Sequence, residues 1–284
     1  MNHPNEFHPN VTESVGLGTG EMPTSLYTDP AQYERERERI FRRAWLMVGR
    51  VESIPNPGDF FVKQIAMFKA SIIVARSSDG EIRAFHNVCA HRSNIVEHRE
   101  SGNSRRFVCR YHSWSYDNAG ELAHVPDESG FFGLDKKKCG LTPVALEVWE
   151  GWIFINMAKA PEVGLREFLG PAADALSGIE YQNPDHPIVL RGEFNANWKA
   201  VAENFSEAYH VVSIHPRTLA PFYTGQPNPF GRPLSVKLYG PHRSLSWWLN
   251  ESAIHFNESE ILCRHGLEQA VKWSSAATVK DALA

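Results

Sequence analysis

Short apolar runs, separated by turn residues, fill the middle of the chain. Four stretches show this pattern most clearly: DFFVKQIA, SIIVARSSDGEIRAFHN, RFVCRYHSWSYDNAGELAHV and VWEGWIFINM. Turn signals at Asp79-Gly80 and Asn118-Ala119-Gly120 mark points where neighbouring strands would reverse direction. The pattern therefore predicts a small antiparallel β domain over residues 46–157.

Helical patterns flank this β-rich region. Asp29-Pro30 supplies a cap and a first-turn proline for a helix over residues 31–45. A second helix is expected over residues 165–179, broken or restarted at Pro171. The string NWKAVAENFSEAYHVVSIH repeats apolar residues every three or four positions, which predicts one long helix with a buried face.

The rest of the C-terminal part mixes strand and helix signals. Strand-like segments lie around IVLRGEFNAN and at SVKLYG and SLSWWLN, whereas GLEQAVKWSSAATVKDALA is helical in composition. We therefore expect an N-terminal segment and helix over residues 1–45, the β domain over 46–157, and a mixed domain over 158–284. The predicted fold class is α+β.

Composition and charge exclude several functions. Hydrophobic residues make up 42% and charged residues 22% of the 284 residues, which is typical of a globular protein with an ordinary core. The formal net charge of -4, without a long basic run, gives no reason to expect nucleic-acid binding. No stretch approaches the roughly 18 apolar residues of a membrane span. The polar N-terminus also lacks a secretory signal core, so we expect no membrane contact and a cytoplasmic location.

The cysteines favour metal binding over disulfides. Four cysteines are too few for a disulfide scaffold, and two of them stand in mixed pairs with histidine. Cys89-Ala-His91 is followed, after seventeen residues, by Cys109-Arg-Tyr-His112. Two loops that each offer one thiolate and one imidazole would supply the ligands of a Rieske 2Fe-2S centre. A Cys2His2 zinc site has the same ligand types but groups like residues together, and chance occurrence is the third alternative.

A second group of polar residues lies near the end of the long predicted helix. It comprises Glu203, Asn204, Glu207, His210 and His215. Two histidines and one carboxylate can hold a mononuclear iron(II) and leave positions open for O2 and substrate. The five-residue step exceeds one helical turn, so the helix would have to loosen near Ser213. Taken alone, such a histidine pair is more often structural than metal-bound.

Both groups of residues resemble one known family. CAHRSN and CRYHSWSYDNAGEL are similar to the Rieske signature, and NWKAVAENFSEAYHVVSIH is similar to the catalytic-domain signature of Rieske non-haem iron oxygenases. These are the large (alpha) subunits of ring-hydroxylating and related enzymes, and the resemblance covers roughly residues 25–220. It implies an antiparallel Rieske domain followed by a helix-grip catalytic domain. It also implies a 2Fe-2S cluster on Cys89, His91, Cys109 and His112, and a mononuclear Fe(II) on His210 and His215.

The resemblance also implies roles for two neighbouring residues. Glu207 matches an acidic residue that, in the family, bridges the Rieske histidine of a neighbouring subunit to an iron-ligating histidine. Asn204 matches an asparagine close to the iron. For Glu207, an ordinary exposed helix carboxylate is the alternative.

The sequence departs from the family pattern at three points. Ser93 and Ser113 stand where the family usually has glycine, and the serine at 113 is expected to alter loop geometry or add a hydrogen-bond donor near the cluster. The family's third iron ligand, an aspartate, lies well beyond the second histidine. Here only sixty-nine residues follow His215, and Asp281, within TVKDALA, lacks the family context. We therefore expect the chain to be short at its C-terminus and its catalytic domain to be incomplete.

The implied function is that of an oxygenase component. O2 and electrons from an NAD(P)H reductase, with or without a ferredoxin, would serve to hydroxylate a small aromatic or related organic substrate. The family also implies a homo-oligomer, a trimer. The rival hypothesis is a Rieske electron-transfer protein with a degenerate catalytic domain, which the short C-terminus favours and the two spaced histidines oppose. The iron content separates them, since two irons per chain indicate the cluster alone and three indicate both sites.

Overall fold

The computed structural model describes residues 20–178 and 192–250, and β-strands dominate it. The chain divides into two units, which we describe separately. The first spans residues 34–169 with 176–180, and the second joins residues 1–33 and 170–175 to 181–284. Within the described ranges no helix has the length and apolarity needed to cross a membrane. The predicted helix over 266–284, residues 188–191 and Asp281 lie outside the described residues.

Two antiparallel sheets build the first unit. Its strands are β1 (Trp45–Arg50), β2 (Asp59–Ile65), β3 (Ala70–Arg76), β4 (Ile82–His86), β5 (Ser101–Asn103), β6 (Arg106–Val108), β7 (Ser115–Asp117), β8 (Leu122–His124), β9 (Pro143–Trp149) and β10 (Trp152–Asn156). The larger sheet has the order β1-β10-β9-β4-β3-β2-β5, and the smaller has the order β6-β7-β8. The predicted antiparallel β domain is thus confirmed.

Strand β3 separates two hydrophobic cores. Ile73 and Ala75 face a core that also contains Cys89 and Cys109, whereas Ile72 and Val74 face the other core. Side chains alternate between the two faces of a strand, so the unbroken apolar run of β3 is explained by burial on both faces. The two cysteines of the mixed pairs therefore belong to the packed interior of this unit.

Glycines form the predicted hairpin turns. Gly80, between β3 and β4, has φ +89°, and Gly120, between β7 and β8, has φ +85°. A Cβ at position 120 would lie 2.3 Å from the ring of Phe85, so both the backbone conformation and the packing require glycine there. Both turn predictions are confirmed.

The N-terminal helix is shorter than predicted. Its cap is confirmed, because the Asp29 carboxylate accepts a hydrogen bond from the Ala31 amide at 2.8 Å. The helical elements here are α1 (Ser25–Thr28), α2 (Pro30–Glu36) and a π-helical segment (Arg37–Phe41). The predicted extension to residue 45 was wrong, because Trp45 begins strand β1 and pairs with Asn156 in the sheet.

The helix that follows the β domain is interrupted at Pro171, as predicted. It forms two pieces, α3 (Leu165–Leu169) and α4 (Pro171–Leu176). Gly170 between them has φ +53°, a conformation that ends a helix, and proline is tolerated at the start of the next one. The interruption at Pro171 is confirmed.

The long helix predicted in the second unit is interrupted. Helix α5 (Trp198–Asn204) stops before the histidines, and the short helices α6 (Val211–Ile214) and α7 (Ala220–Tyr223) follow. The Glu207 carboxylate accepts the backbone N–H groups of Tyr209 and His210, which in a continuous helix would bond to backbone carbonyls. Phe205 and Tyr209 lie on the apolar face that the periodicity predicted to be buried, but they are 77% and 76% exposed.

A β-hairpin completes the described part of the second unit. Strands β11 (Pro233–Tyr239) and β12 (His242–Trp247) pair antiparallel, as the strand-like segments predicted. Together the two units give the α+β class expected from the sequence.

Candidate metal centres

The two loops that carry the Cys and His pairs close in the same way. In the first loop, the Cys89 amide donates to the Asn94 carbonyl at 2.8 Å, and the Ser93 amide donates to the Cys89 carbonyl at 2.9 Å. In the second, Cys109 and Ser113 make the corresponding two bonds, both at 2.9 Å. Each loop therefore presents its cysteine from an equivalent backbone position.

The serines that replace glycine adopt the left-handed conformation. Ser93 has φ +55° and Ser113 has φ +56°. This region costs a residue with a Cβ roughly 1–2 kcal/mol, whereas glycine enters it freely. Both loops therefore keep a backbone that glycine would favour, at some cost in stability.

This cost gives a stability prediction for Ser113. Ser113→Gly is expected to raise the free energy of unfolding by about 0.5 kcal/mol, because relief of the left-handed strain exceeds the extra chain entropy of glycine. Urea unfolding of the purified protein measures it. Ser101→Gly, on exposed strand β5, is the control and should destabilise. A loss of stability in Ser113→Gly as large as in Ser101→Gly would contradict the strain argument.

The sulfur of Cys89 has a hydrogen-bond donor beside it. Its Sγ is 3.1 Å from the hydroxyl of Tyr116, and the Ala90 amide donates to the same hydroxyl oxygen at 3.0 Å. Because that oxygen already accepts from Ala90, its own proton is available to the sulfur. Burial and the hydrogen bond with Cys89 raise the pKa of Tyr116, which keeps the phenol protonated as a donor. Tyr116 lies within the signature CRYHSWSYDNAGEL, but no role was assigned to it from the sequence.

The surroundings of Cys109 favour a thiolate. Burial opposes ionisation, but the backbone of Tyr111 and the side chains of Asn94 and Cys89 donate hydrogen bonds that lower the pKa of the Cys109 thiol. The thiolate is the form that ligates metals. Both cysteines are buried and neither is in a disulfide.

The imidazole rings of His91 and His112 lie close together. The imidazole centroids of His91 and His112 are 4.6 Å apart. Nδ1 of His91 is buried without a hydrogen-bond partner, which is costly unless the nitrogen binds something else. Burial, with smaller effects of His112 and Arg92, lowers the pKa of His91 and favours the neutral imidazole that binds metals. The orphaned nitrogen and the thiolate pocket together fit a 2Fe-2S cluster.

Asn87 fixes the first ligand loop, and sequence reasoning missed it. Its side-chain oxygen accepts the amides of Val96 and Glu97 at 3.1 and 2.8 Å. Its side-chain nitrogen donates to the Glu97 carbonyl at 2.7 Å and to the Ser71 hydroxyl at 3.1 Å. This buried residue therefore ties both ends of the loop to the sheet. The only signal in the sequence was a polar residue directly after an apolar strand.

The second group of residues assembles in part. The imidazole centroids of His210 and His215 are 5.6 Å apart, and the Glu207 carboxylate is hydrogen-bonded to His210 Nδ1. Burial opposes ionisation of Glu207, but the bonds from His210 and the Tyr209 amide lower its pKa, so it remains a carboxylate. A carboxylate on Nδ1 leaves Nε2 of His210 available to a metal.

The break that lets the histidines converge is not where it was expected. The chain leaves helical geometry between Asn204 and His210, whereas Ser213 lies inside α6. Asn204 ends α5 and is exposed. Over residues 20–178 and 192–250, no three His, Cys, Asp or Glu side chains converge to hold one metal ion. A cluster with two protein ligands on each iron does not need three, but a two-histidine, one-carboxylate site does.

Family models match both parts of the chain. The model of the Rieske [2Fe-2S] domain matches residues 44–144, and the model of the ring hydroxylating alpha subunit (catalytic domain) matches residues 174–272. The first unit is thus a Rieske-type iron-sulfur domain.

Individual relatives agree with the family models. The chain is 37% identical over 231 residues to the large oxygenase component of a naphthalene 1,2-dioxygenase system from Pseudomonas aeruginosa, covering 77% of this chain and 48% of that protein. It is 33% identical over 198 residues to the glycine betaine monooxygenase oxygenase subunit of Pseudomonas aeruginosa (strain UCBPP-PA14), covering 70% and 45%.

A solved structure shows the same relationship. The quaternary ammonium Rieske monooxygenase CntA, in complex with an inhibitor, aligns with a TM-score of 0.64 at 27% identity, covering 71% of this chain and 55% of that one. The chain belongs to the family of Rieske non-haem iron oxygenase large subunits. It spans about half the length of the curated relatives it matches. The cofactors of this family are a 2Fe-2S cluster and a mononuclear iron, as the sequence predicted.

Proposed function

We propose that this chain acts in the oxygenase component of a Rieske hydroxylating system. The observation that carries the proposal is the pairing, in one chain, of a complete Cys2His2 set with two converging histidines backed by a carboxylate. The assigned ligands are Cys89, His91, Cys109 and His112 for the cluster, and His210 and His215 for the mononuclear iron. Membership of an oxygenase family supports this assignment.

The residues divide the work as follows. When bound, the cluster supplies one-electron storage and the mononuclear iron supplies O2 activation. Cys89 and Cys109 hold the cluster as thiolates, and Tyr116 donates to the Cys89 sulfur, which stabilises added negative charge. Glu207 holds His210 through Nδ1 and so fixes the direction in which Nε2 points.

The relatives and the family resemblance support a proposal for the substrate and the partners. The two relatives described above are named for naphthalene and for glycine betaine. We propose a small aromatic or related organic substrate. Electrons would come from an NAD(P)H reductase, directly or through a ferredoxin, and the chain would assemble as a homo-oligomer, a trimer as in the family. The cytoplasmic location stays a prediction.

Substitution of Glu207 tests whether this carboxylate bridges a cluster histidine and an iron-ligating histidine, as the family resemblance implies. Glu207→Gln is expected to leave both metal contents near wild type but to slow reoxidation of the reduced cluster by O2, with substrate bound, about tenfold or more. The amide oxygen can still accept from His210 Nδ1, but it lacks the negative charge that strengthens this bond. Stopped-flow absorption in protein that contains both metals measures the rate.

Glu203→Gln is the matched control for this experiment. Glu203 is also an exposed carboxylate, but it accepts the Tyr27 hydroxyl at 2.9 Å and contacts no imidazole among the described residues. Its reoxidation rate should equal that of wild type. Equal rates in both variants would show that Glu207 is an ordinary surface carboxylate.

One observation favours a second function. No third ligand for a mononuclear iron lies within the described residues, and Asp281 lies outside them. An electron-transfer protein with a degenerate catalytic domain would show this arrangement. Iron analysis separates the two functions, since three irons per chain support the oxygenase and two support electron transfer alone.

A further inference from the structure

The two histidines of the cluster site have different surroundings. His91 stacks on Trp114, with ring centroids 4.8 Å apart and planes inclined by 9°. Phe131 meets both rings edge-on, at 6.0 Å from His91 and 5.6 Å from Trp114. His112, by contrast, is exposed, and its ring centroid lies 3.9 Å from that of the exposed Tyr111. One imidazole is therefore enclosed by aromatic rings and the other is open.

Phe131 comes from a segment outside both ligand motifs. It belongs to residues 126–139, which we name the cover loop. Its ring is 36% exposed, whereas the adjacent Phe132 is 98% exposed. The loop therefore turns Phe131 towards His91 and Trp114 and leaves its neighbour in water. We propose that Phe131 is a positioning residue for His91.

Lys136 holds the cover loop in this conformation. Its Nζ donates to the Ala123 carbonyl of β8 and to the Glu128 carboxylate, both at 3.2 Å. Glu128 begins the single helical turn whose carbonyl accepts the amide of Phe131 at 3.0 Å. A continuous set of bonds thus joins the small sheet, through Lys136, to the backbone of Phe131.

The cover over His91 has an electrostatic consequence. The inference rests on the proposed function, because His91 must be a cluster ligand. A cluster with two thiolates and two neutral imidazoles is uncharged when oxidised and carries one negative charge when reduced. Apolar rings keep water from one side of the imidazole, and exclusion of water disfavours the charged, reduced state. Phe131 therefore lowers the reduction potential while it fixes the ring of His91.

Substitution of Phe131 tests the inference with a neighbouring control. Phe131→Leu, in the full chain with its cluster, is expected to shift the midpoint potential upward and to change the g-values of the reduced cluster in EPR. Phe131→Tyr keeps the ring and should restore both properties. Phe132→Leu removes an exposed ring of the same kind and should match wild type. Equal potentials and g-values in Phe131→Leu, Phe132→Leu and wild type would overturn the proposal.

A second pair of variants covers the case in which Phe131→Leu loses its cluster. Lys136→Met keeps the Phe131 residue but removes the bonds that hold its ring against His91, so the potential should shift in the same direction. Lys137→Met, at an exposed neighbouring lysine, is its control. Equal potentials in these two variants would overturn the proposal. Failure of the cluster assignment on which the inference rests is distinguishable, because wild-type protein would then lack a Rieske-type EPR signal altogether. Failure of the oxygenase function alone would leave this signal, and with it the test, intact.

Discussion

A cysteine in place of His112 is expected to lower the reduction potential of the cluster by about 100 mV or more. Rieske centres span about -150 to +300 mV, whereas plant-type all-cysteine clusters lie near -400 mV, because thiolate adds negative charge where imidazole is neutral. His112 is the exposed ligand, so its replacement disturbs less packing than replacement of the enclosed His91. Spectroelectrochemical titration of the variant that retains a cluster measures the shift.

The control for this substitution is His98→Cys. His98 is an exposed histidine of the same domain that lies outside both ligand loops. The His98→Cys variant should have the reduction potential of wild type. This result would exclude a general effect of an added thiol. A potential in His112→Cys that stays the same or rises, with the cluster intact, would show that His112 does not ligate iron.

Removal of the Asn87 side chain is expected to destabilise the Rieske domain by about 3 kcal/mol. Asn87→Ala would leave the amides of Val96 and Glu97 and the Glu97 carbonyl without their partner, and each buried unsatisfied group costs about 1–3 kcal/mol. Because these groups fix the loop that carries Cys89 and His91, loss of the cluster should also be faster. Urea unfolding and the decay of cluster absorbance report the two effects.

Ser71→Ala is the control for Asn87. It removes one bond made by the Asn87 side chain and one made by the exposed Gln64 amide, and leaves the backbone groups of the loop satisfied. Its destabilisation should be within about 1 kcal/mol. An effect of Asn87→Ala no larger than that of Ser71→Ala would mean that the loop does not depend on this residue.

The β domain was predictable because its signals are local. Apolar runs gave the strands, and the turns at Gly80 and Gly120 needed a conformation that glycine adopts freely. The four cluster ligands were predictable for a related reason, since mixed Cys and His pairs at this spacing have few other uses.

The second unit shows where sequence patterns fail. Apolar periodicity predicted one helix through His210, but Glu207 binds the backbone amides that the helix would have used. Side-chain capture of amides depends on geometry that periodicity does not report. The same limit applies to Asn87 and Phe131, whose roles come from contacts between segments distant in the sequence.

The most direct test of the cluster assignment is combined iron, zinc and acid-labile sulfide analysis with EPR of the dithionite-reduced protein. We expect at least two irons and two sulfides per chain and a Rieske-type EPR signal. This signal should disappear in Cys109→Ser and persist in Cys139→Ser, a cysteine outside the mixed pairs. Zinc in place of iron, or iron without acid-labile sulfide, would contradict the assignment.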